Sequence, residues 1–278
     1  MTSSQPEYVF TRDYVDRNRL NLQHYLWVEQ FGYYIHPHIP PPGPQHRIAD
    51  IGTGTGVWLM DLSARLPATV RLEGLDVSLA ATTPAGWVPS NVSFREWNIK
   101  QEPPEDLIEQ YDIIHVRFLL FVLLDDEIPG VLQRLMKLLK PGGHLQWEES
   151  DVSSARIEKT QPDNKIEAVT RLLKLSSGLD SRLKPTWVPK LAELAEGVGL
   201  CDVHVDKRDT ERTPRYLAFA VFESNLTFFE MFAHTTRNEV YAKELQKLMP
   251  EVIEESRRGV CWDYPRLIVV AKKPIPTS

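Results

Sequence analysis

One stretch limits what this chain can fold into more than any other: Arg47-Ile48-Ala49-Asp50-Ile51-Gly52-Thr53-Gly54-Thr55-Gly56-Val57-Trp58. A short apolar run ends in an acid, three glycines follow at alternate positions, and apolar residues at helical spacing come next. The pattern predicts a strand, a tight turn and the entry of a helix. Alternating glycines remove every Cβ from one side of the turn and allow positive φ, so a ligand can lie against the main chain. The helix that follows turns its free N–H groups toward the same place. The spacing G-x-G-x-G is one residue tighter than the dinucleotide fingerprint G-x-G-x-x-G, so a pyrophosphate is not the obvious guest.

The chain after this loop keeps alternating between strand and helix. A helix over about 56–65 leads to a second strand, Val70 to Ser78, and Asp76 near its end follows Asp50 by about one β-α-β unit. A carboxylate at that position accepts both hydroxyls of a ribose or, on the plainer reading, caps the next helix. A third strand is expected over Val92 to Ile99 and a fourth over Tyr111 to Leu119. The amphipathic helix Ile128 to Leu139 is stopped by Lys140-Pro141-Gly142-Gly143, and a fifth strand runs from His144 to Glu149. Helical segments around 166–175 and 185–196, broken at Ser176-Ser177-Gly178, precede a sixth strand at Val203 to Asp206. Pro265 to Ala271 makes a seventh. The fold class is therefore α/β, a Rossmann-like sheet of seven mostly parallel strands.

Ahead of the sheet, residues 8–35 carry apolar side chains at helical spacing, including Leu22, Leu26 and Trp27. Residues 36–46 hold five prolines, which exclude a helix or central strand and give a stiff connector. Residues 1–44 thus form a helical arm and connector, and 45–278 the main domain. Within it, the mostly helical insertion at about 215–260 is too long for a turn and is expected to act as a lid.

Composition excludes several partners. A net charge of -6 and a pI near 5.8 give no basic footprint for nucleic acid. No apolar run reaches the ~18 residues of a membrane span, and the polar start of the chain is unlike a signal peptide, so a cytoplasmic protein is expected. Cys201 and Cys261 stand far apart with no C-x-x-C spacing and read as reduced, mostly buried thiols. His36 and His38 are near one another in sequence without further ligands beside them, and no metal is expected.

The run Asp50 to Gly56 resembles the first motif of class I S-adenosylmethionine-dependent methyltransferases, and Lys-Pro-Gly-Gly before a fifth strand is another mark of that family. Arg19-Leu20-Asn21-Leu22-Gln23-His24 is similar to the arm of fungal secondary-metabolite and velvet-associated methyltransferases. The resemblance implies S-adenosylmethionine as cofactor, with the glycine loop (Asp50, Gly52, Thr53, Gly54, Gly56) against its methionine half and Asp76 and Val77 on the ribose. It implies an adenine site at Trp97, Asn98 and Ile99, although the family usually has an acid where Asn98 stands. Trp97 either stacks on the adenine or fills the core. The fourth strand contributes His115, Val116 and Arg117, and the arm folds over the cofactor with Tyr14 and His24. His115 and Arg117 keep a structural reading as well, a core histidine and a salt bridge to the arm.

Glu148 and Glu149 stand at the carboxyl end of the fifth strand, where substrate meets cofactor in open α/β sheets. Both are candidate catalytic groups, as is His234 in the lid, and a solvated acidic loop is the alternative for the two acids. Trp147, Phe228 and Phe232 are the candidate substrate contacts, an apolar set that suits a hydrophobic small molecule. The implied reaction is methyl transfer, with oxygen the expected acceptor, in fungal secondary metabolism; a homodimer is possible. Two other readings remain open: a methyltransferase-like pericyclase or lyase that moves no methyl, and a velvet-type regulatory partner.

Overall fold

A computed structural model describes residues 12–276 apart from 178–184, 210 and 212. Residues 8–11 of the expected arm helix and Gly178 of the expected helix break fall outside the described residues.

Seven strands form one sheet in the order β3-β2-β1-β4-β5-β9-β7. Their ranges are β1 Arg47–Ile51, β2 Arg71–Asp76, β3 Val92–Glu96, β4 Tyr111–Arg117, β5 Leu139–Ser150, β7 Cys201–Arg208 and β9 Arg266–Lys272. Neighbours from β3 to β5 pair in parallel, while β9 runs antiparallel to both β5 and β7. The Rossmann-like, mostly parallel sheet expected from the strand pattern is thus present. Strand order reverses at β1, which puts the ends of β1 and β4 at the switch point where such sheets bind ligands.

Side chains alternate across the sheet, and the two faces carry different cores. Ala49, Ile51, Ile114, Val116, Leu145, Trp147 and Val269 pack with helices α3 (Ile128–Leu138) and α5 (Leu191–Gly197). Ile48, Ile113, Ile268 and Val270 pack on the other face with Trp27 and Phe31 of α1 (Tyr14–Phe31) and with Trp58, Leu59 and Leu62 of α2 (Val57–Ser63). A third core sits off the strand ends. It joins α4 (Glu167–Ser177), α6 (Arg215–Thr235) and α7 (Glu239–Arg257) to a two-stranded sheet of β6 (Arg156–Lys159) and β8 (Val260–Asp263) that the sequence pattern did not announce.

Helix α1 begins at Asp13, whose carboxylate accepts from the N–H groups of Val15 (2.9 Å) and Asp16 (3.1 Å), and ends at Gly32 with φ 82°. Its buried face is not the apolar one read from sequence: Asp16, Arg19 and His24 are buried with Trp27 and Phe31, while Leu22 and Tyr25 are exposed. The Lys140–Gly143 segment is absorbed as an irregularity at the start of β5, where the pairing with β4 jumps from Tyr111↔Leu139 to Ile113↔His144. Trp97, Asn98 and Ile99 lie beyond the end of β3 rather than inside it. Cys261 is buried and Cys201 exposed, and both thiols are free, so only one fits the expectation of buried thiols.

Candidate functional site

The glycine loop adopts the conformation its spacing predicts. Gly52, Gly54 and Gly56 have φ of 72°, 55° and 79°, in the left-handed region that side chains resist. At Gly56 an added Cβ would stand 2.6 Å from Phe94 of β3, and at Gly52 one would stand 2.9 Å from Leu119 just past β4. At Gly54 the nearest atom is Leu20 of α1 at 3.7 Å, so there the backbone conformation alone calls for glycine.

Asp76, at the end of β2, is tied to this loop. Its Oδ2 accepts from Gly54 N (2.9 Å) and its Oδ1 from Ser78 N (3.2 Å). A carboxylate has about four lone-pair sites, so acceptor capacity is left for two further donors. Burial raises its pKa, and the two backbone N–H groups hold the shift in check. Val77 beside it is exposed. Trp97 is buried with its Nε1 directed to the Glu102 carbonyl (3.4 Å), Ile99 is buried, and Asn98 Oδ1 accepts from Lys100 N (3.0 Å).

Behind the loop a line of polar groups crosses the α1/α2 face of the sheet. Asp50 accepts from the Thr53 hydroxyl (2.6 Å) and pairs with His115 Nδ1 (2.7 Å). His115 Nε2 is 3.4 Å from Glu148, and so is Arg117 Nη1. Arg117 Nη2 is 2.9 Å from His24 Nδ1, and His24 Nε2 is 2.9 Å from Asp61 of α2. A guanidinium only donates, so His24 Nδ1 accepts, and the ring is neutral with its proton on Nε2, which donates to Asp61. Burial and the neighbouring Arg117 lower its pKa to about 4. His115, by contrast, is raised despite burial because Glu148 and Asp50 flank it, and Trp58 stacks on its ring at 3.9 Å. Val116 points to the opposite face, into the core.

The arm closes over this line. Besides His24, Asn21 accepts from the Thr55 hydroxyl of the glycine loop (2.7 Å), and Tyr34 donates to Asp61 (3.1 Å). Tyr14, in the first turn of α1, is exposed. Asp61 and Tyr34 were missed by sequence reasoning; Asp61 sits one turn into α2, and nothing local marks it as a partner of the arm.

The structure separates the two candidate acids. Consecutive residues of a strand face opposite ways, so Glu148 joins His115 and Arg117 while Glu149 points into the other core beside Trp147. One reaction centre cannot use both. His115 and Arg117 lower the Glu148 pKa against the effect of burial, and burial pushes Glu149 up to about 8. Trp147 is fully buried against Trp187 (5.5 Å), so it fills the core and does not line an open wall. His234 is on the outer surface of α6, 3.7 Å from Glu230. Phe228 is closer to the strand ends: its ring is 6.0 Å from Phe121 of the segment after β4 and 5.9 Å from Phe232, and the Arg19 guanidinium stands 5.9 Å from it. No group of three or more His, Cys, Asp or Glu suited to a metal occurs among the described residues, and no described helix is long and apolar enough to cross a membrane.

A glycine loop at the switch point of this strand order, with a carboxylate at the end of the next strand, occupies the place where open α/β sheets bind their ligands. Residues 49–145 match the family model described as a methyltransferase domain. The methyltransferase grgD of a Penicillium species is 39% identical over 147 residues, 50% of this chain and 50% of that protein. The N-methyltransferase tcpN of Claviceps purpurea is 26% identical over 198 residues, 70% of this chain and 69% of its own. The chain thus spans about half the length of the Penicillium relative. Among solved structures, phosphoethanolamine N-methyltransferase 2 of Haemonchus contortus, in complex with phosphomonomethylethanolamine and S-adenosylhomocysteine, superposes with a TM-score of 0.55 at 15% identity, covering 97% of this chain and 61% of that one. The likeness to methyltransferase domains is carried by residues 49–145, and the chain shares its fold with a solved N-methyltransferase. The cofactor of such methyltransferases is S-adenosylmethionine, and the residues present fit it: Gly54 has no atom closer than 3.7 Å to its missing Cβ, and Asp76 keeps acceptor capacity beside it.

Proposed function

We propose that this chain binds S-adenosylmethionine and transfers its methyl group to a hydrophobic small molecule of fungal secondary metabolism. The observation that carries this reading is the bond from Gly54 N to Asp76 Oδ2, which joins the glycine loop to a carboxylate with acceptor capacity to spare at the end of the adjacent strand. Asp76 would take the ribose hydroxyls, the loop 52–56 the methionine half, and the segment 97–99 the adenine. Asn98 Oδ1 accepts one bond, from Lys100 N, so it keeps a second lone pair for the adenine amine and its amide N–H₂ for a ring nitrogen. We assign Arg117, held between Glu148 and His24, to the cofactor carboxylate.

The bound cofactor supplies an already activated methyl group, so the chain contributes proximity, orientation and exclusion of water. The arm and the α6–α7 lid do the excluding, with Phe228 and Phe232 on the substrate side. For the acceptor we favour nitrogen over the oxygen expected from sequence, because three relatives that match more than half of this chain are named N-methyltransferases.

Calorimetric titration with S-adenosylhomocysteine tests the reading. Micromolar binding that Asp76→Ala abolishes, followed by a gain of one methyl mass on an amine or phenol acceptor, supports it. Binding with no methyl gain across acceptors favours a lyase, and no binding by folded protein refutes cofactor use altogether.

A further inference from the structure

Phe118, the first residue past β4, has φ 60°. A bulky residue in the left-handed region costs about 1–2 kcal/mol and persists only where its surroundings impose it. Here the imposing group is Glu149. Its Oε1 accepts from Leu119 N (2.7 Å) and from Trp147 Nε1 (3.0 Å). The N–H directly after the strained residue is thus anchored to this side chain.

Glu149 is fully buried, and its Oε2 has no hydrogen-bond partner. An ionised oxygen left without a donor in a buried site costs far more than a hydroxyl, so the carboxyl carries its proton on Oε2. The charged neighbours do not offset this. Glu148 points to the other face and is a like charge, while Asp151 is taken by Ser153 and Ser154 and Arg266 by Asp263.

The anchored turn faces two ways. Leu119 packs where a Cβ on Gly52 would be, 2.9 Å away, which joins the turn to the glycine loop. Phe121 meets Phe228 of the lid. We propose that Glu149 is a neutral-acid clamp: a positioning residue that fixes the turn 118–120 and, through Leu119 and Phe121, sets the glycine loop against the mouth of the substrate site.

The proposal reassigns Glu149 from proton transfer to positioning within the methyltransferase reading, and its test has one arm that does not depend on that reading. Wild type, Glu149→Gln and Glu149→Ala are titrated with S-adenosylhomocysteine from about pH 6 to 9, and tryptophan fluorescence is followed without ligand over the same range. Gln has a carbonyl for the turn and no proton to lose. The expected result is Gln affinity within about twofold of wild type at pH 7 and flat to pH 9, while wild type weakens by up to about tenfold per unit above pH 8. Ala binds about tenfold or more weakly throughout. A fluorescence transition near pH 8 in wild type, absent in Gln, is the matching ligand-free signal, because the Trp147 indole touches the carboxyl. Identical pH profiles for wild type and Gln, or Gln as weak as Ala, overturn the clamp. If no form binds the ligand, the cofactor reading fails and the fluorescence transition alone decides the clamp. If Ala does not fold, the comparison of Gln with wild type decides.

Discussion

Protonation of His24 should release the arm. The ring is neutral in the folded state, donating to Asp61 and accepting from Arg117, and its pKa falls from 6.5 to about 4. A proton on Nδ1 would face the Arg117 guanidinium with no acceptor between them. A depressed folded-state pKa means that the unfolded chain binds more protons over this window. Stability is then complete above pH 6.5 and is lost as pH falls through 6.5 to 4. At about 1.4 kcal/mol per unit the loss at pH 5 is roughly 2 kcal/mol, in a protein whose total stability is on the order of 10 kcal/mol. His24→Gln keeps an N–H for Asp61 and cannot take the proton. Urea unfolding at pH 7.5 and 5.0, with amide exchange in α1 as a local readout, should show wild type losing about 2 kcal/mol more than the variant. Glu149 acts in the opposite sense, with stability complete below its unfolded value and lost as pH rises through about 8, so only the difference between the two proteins isolates His24. An equal loss in both proteins, in unfolding and in α1 exchange alike, refutes the reasoning.

Two further substitutions probe the loop and the ion line. Gly56→Ala should cost about 1–2 kcal/mol for the left-handed backbone, with more for the displaced Phe94 ring, measured by urea unfolding alongside weaker S-adenosylhomocysteine binding. Arg117→Met leaves Glu148 with the Gln146 amide and His115 beside it and removes the hold on His24; a loss of about 3–5 kcal/mol in unfolding is expected, as for breaking a buried pair.

The sheet was legible in the sequence because its signals are local. Asp50 to Gly56, Asp76 and Lys140 to Gly143 each mark a turn by residues that few other conformations need, and the apolar runs between them have strand length. The arm was legible as a helix but not in its orientation. Its apolar residues suggested one face, yet the buried face carries Asp16, Arg19 and His24, because each finds a polar partner there: Asp16 with Arg19, and His24 with Asp61 and Arg117. Partners brought together over long separations, such as His24 with Asp61 and Arg117, leave no periodic trace. The division of Glu148 from Glu149 was available in principle, since strand alternation puts adjacent side chains on opposite faces; treating them as one acidic cluster ignored it. The small β6–β8 sheet joins segments about a hundred residues apart and was not foreseen.

Phe228 tests whether the lid and the cofactor cleft are separable. Its ring touches Phe121, Phe229, Phe232 and the Arg19 guanidinium, so it links α6 to the arm and to the turn after β4. None of the glycine-loop contacts comes from α6: the groups nearest Gly52, Gly54 and Gly56 are Leu119, Leu20 and Phe94. Phe228→Ala should therefore leave S-adenosylhomocysteine affinity within about twofold, since that site loses no contact. The ring is only partly buried, so the stability cost should be smaller than the roughly 3–5 kcal/mol of a core Phe→Ala change. With an acceptor in hand, its KM should rise by about tenfold or more, the equivalent of one lost apolar contact surface of ~50 Å². If cofactor affinity falls as far as acceptor affinity does, the arm, α6 and the post-β4 turn move as one body, and the lid cannot be a separate determinant of substrate.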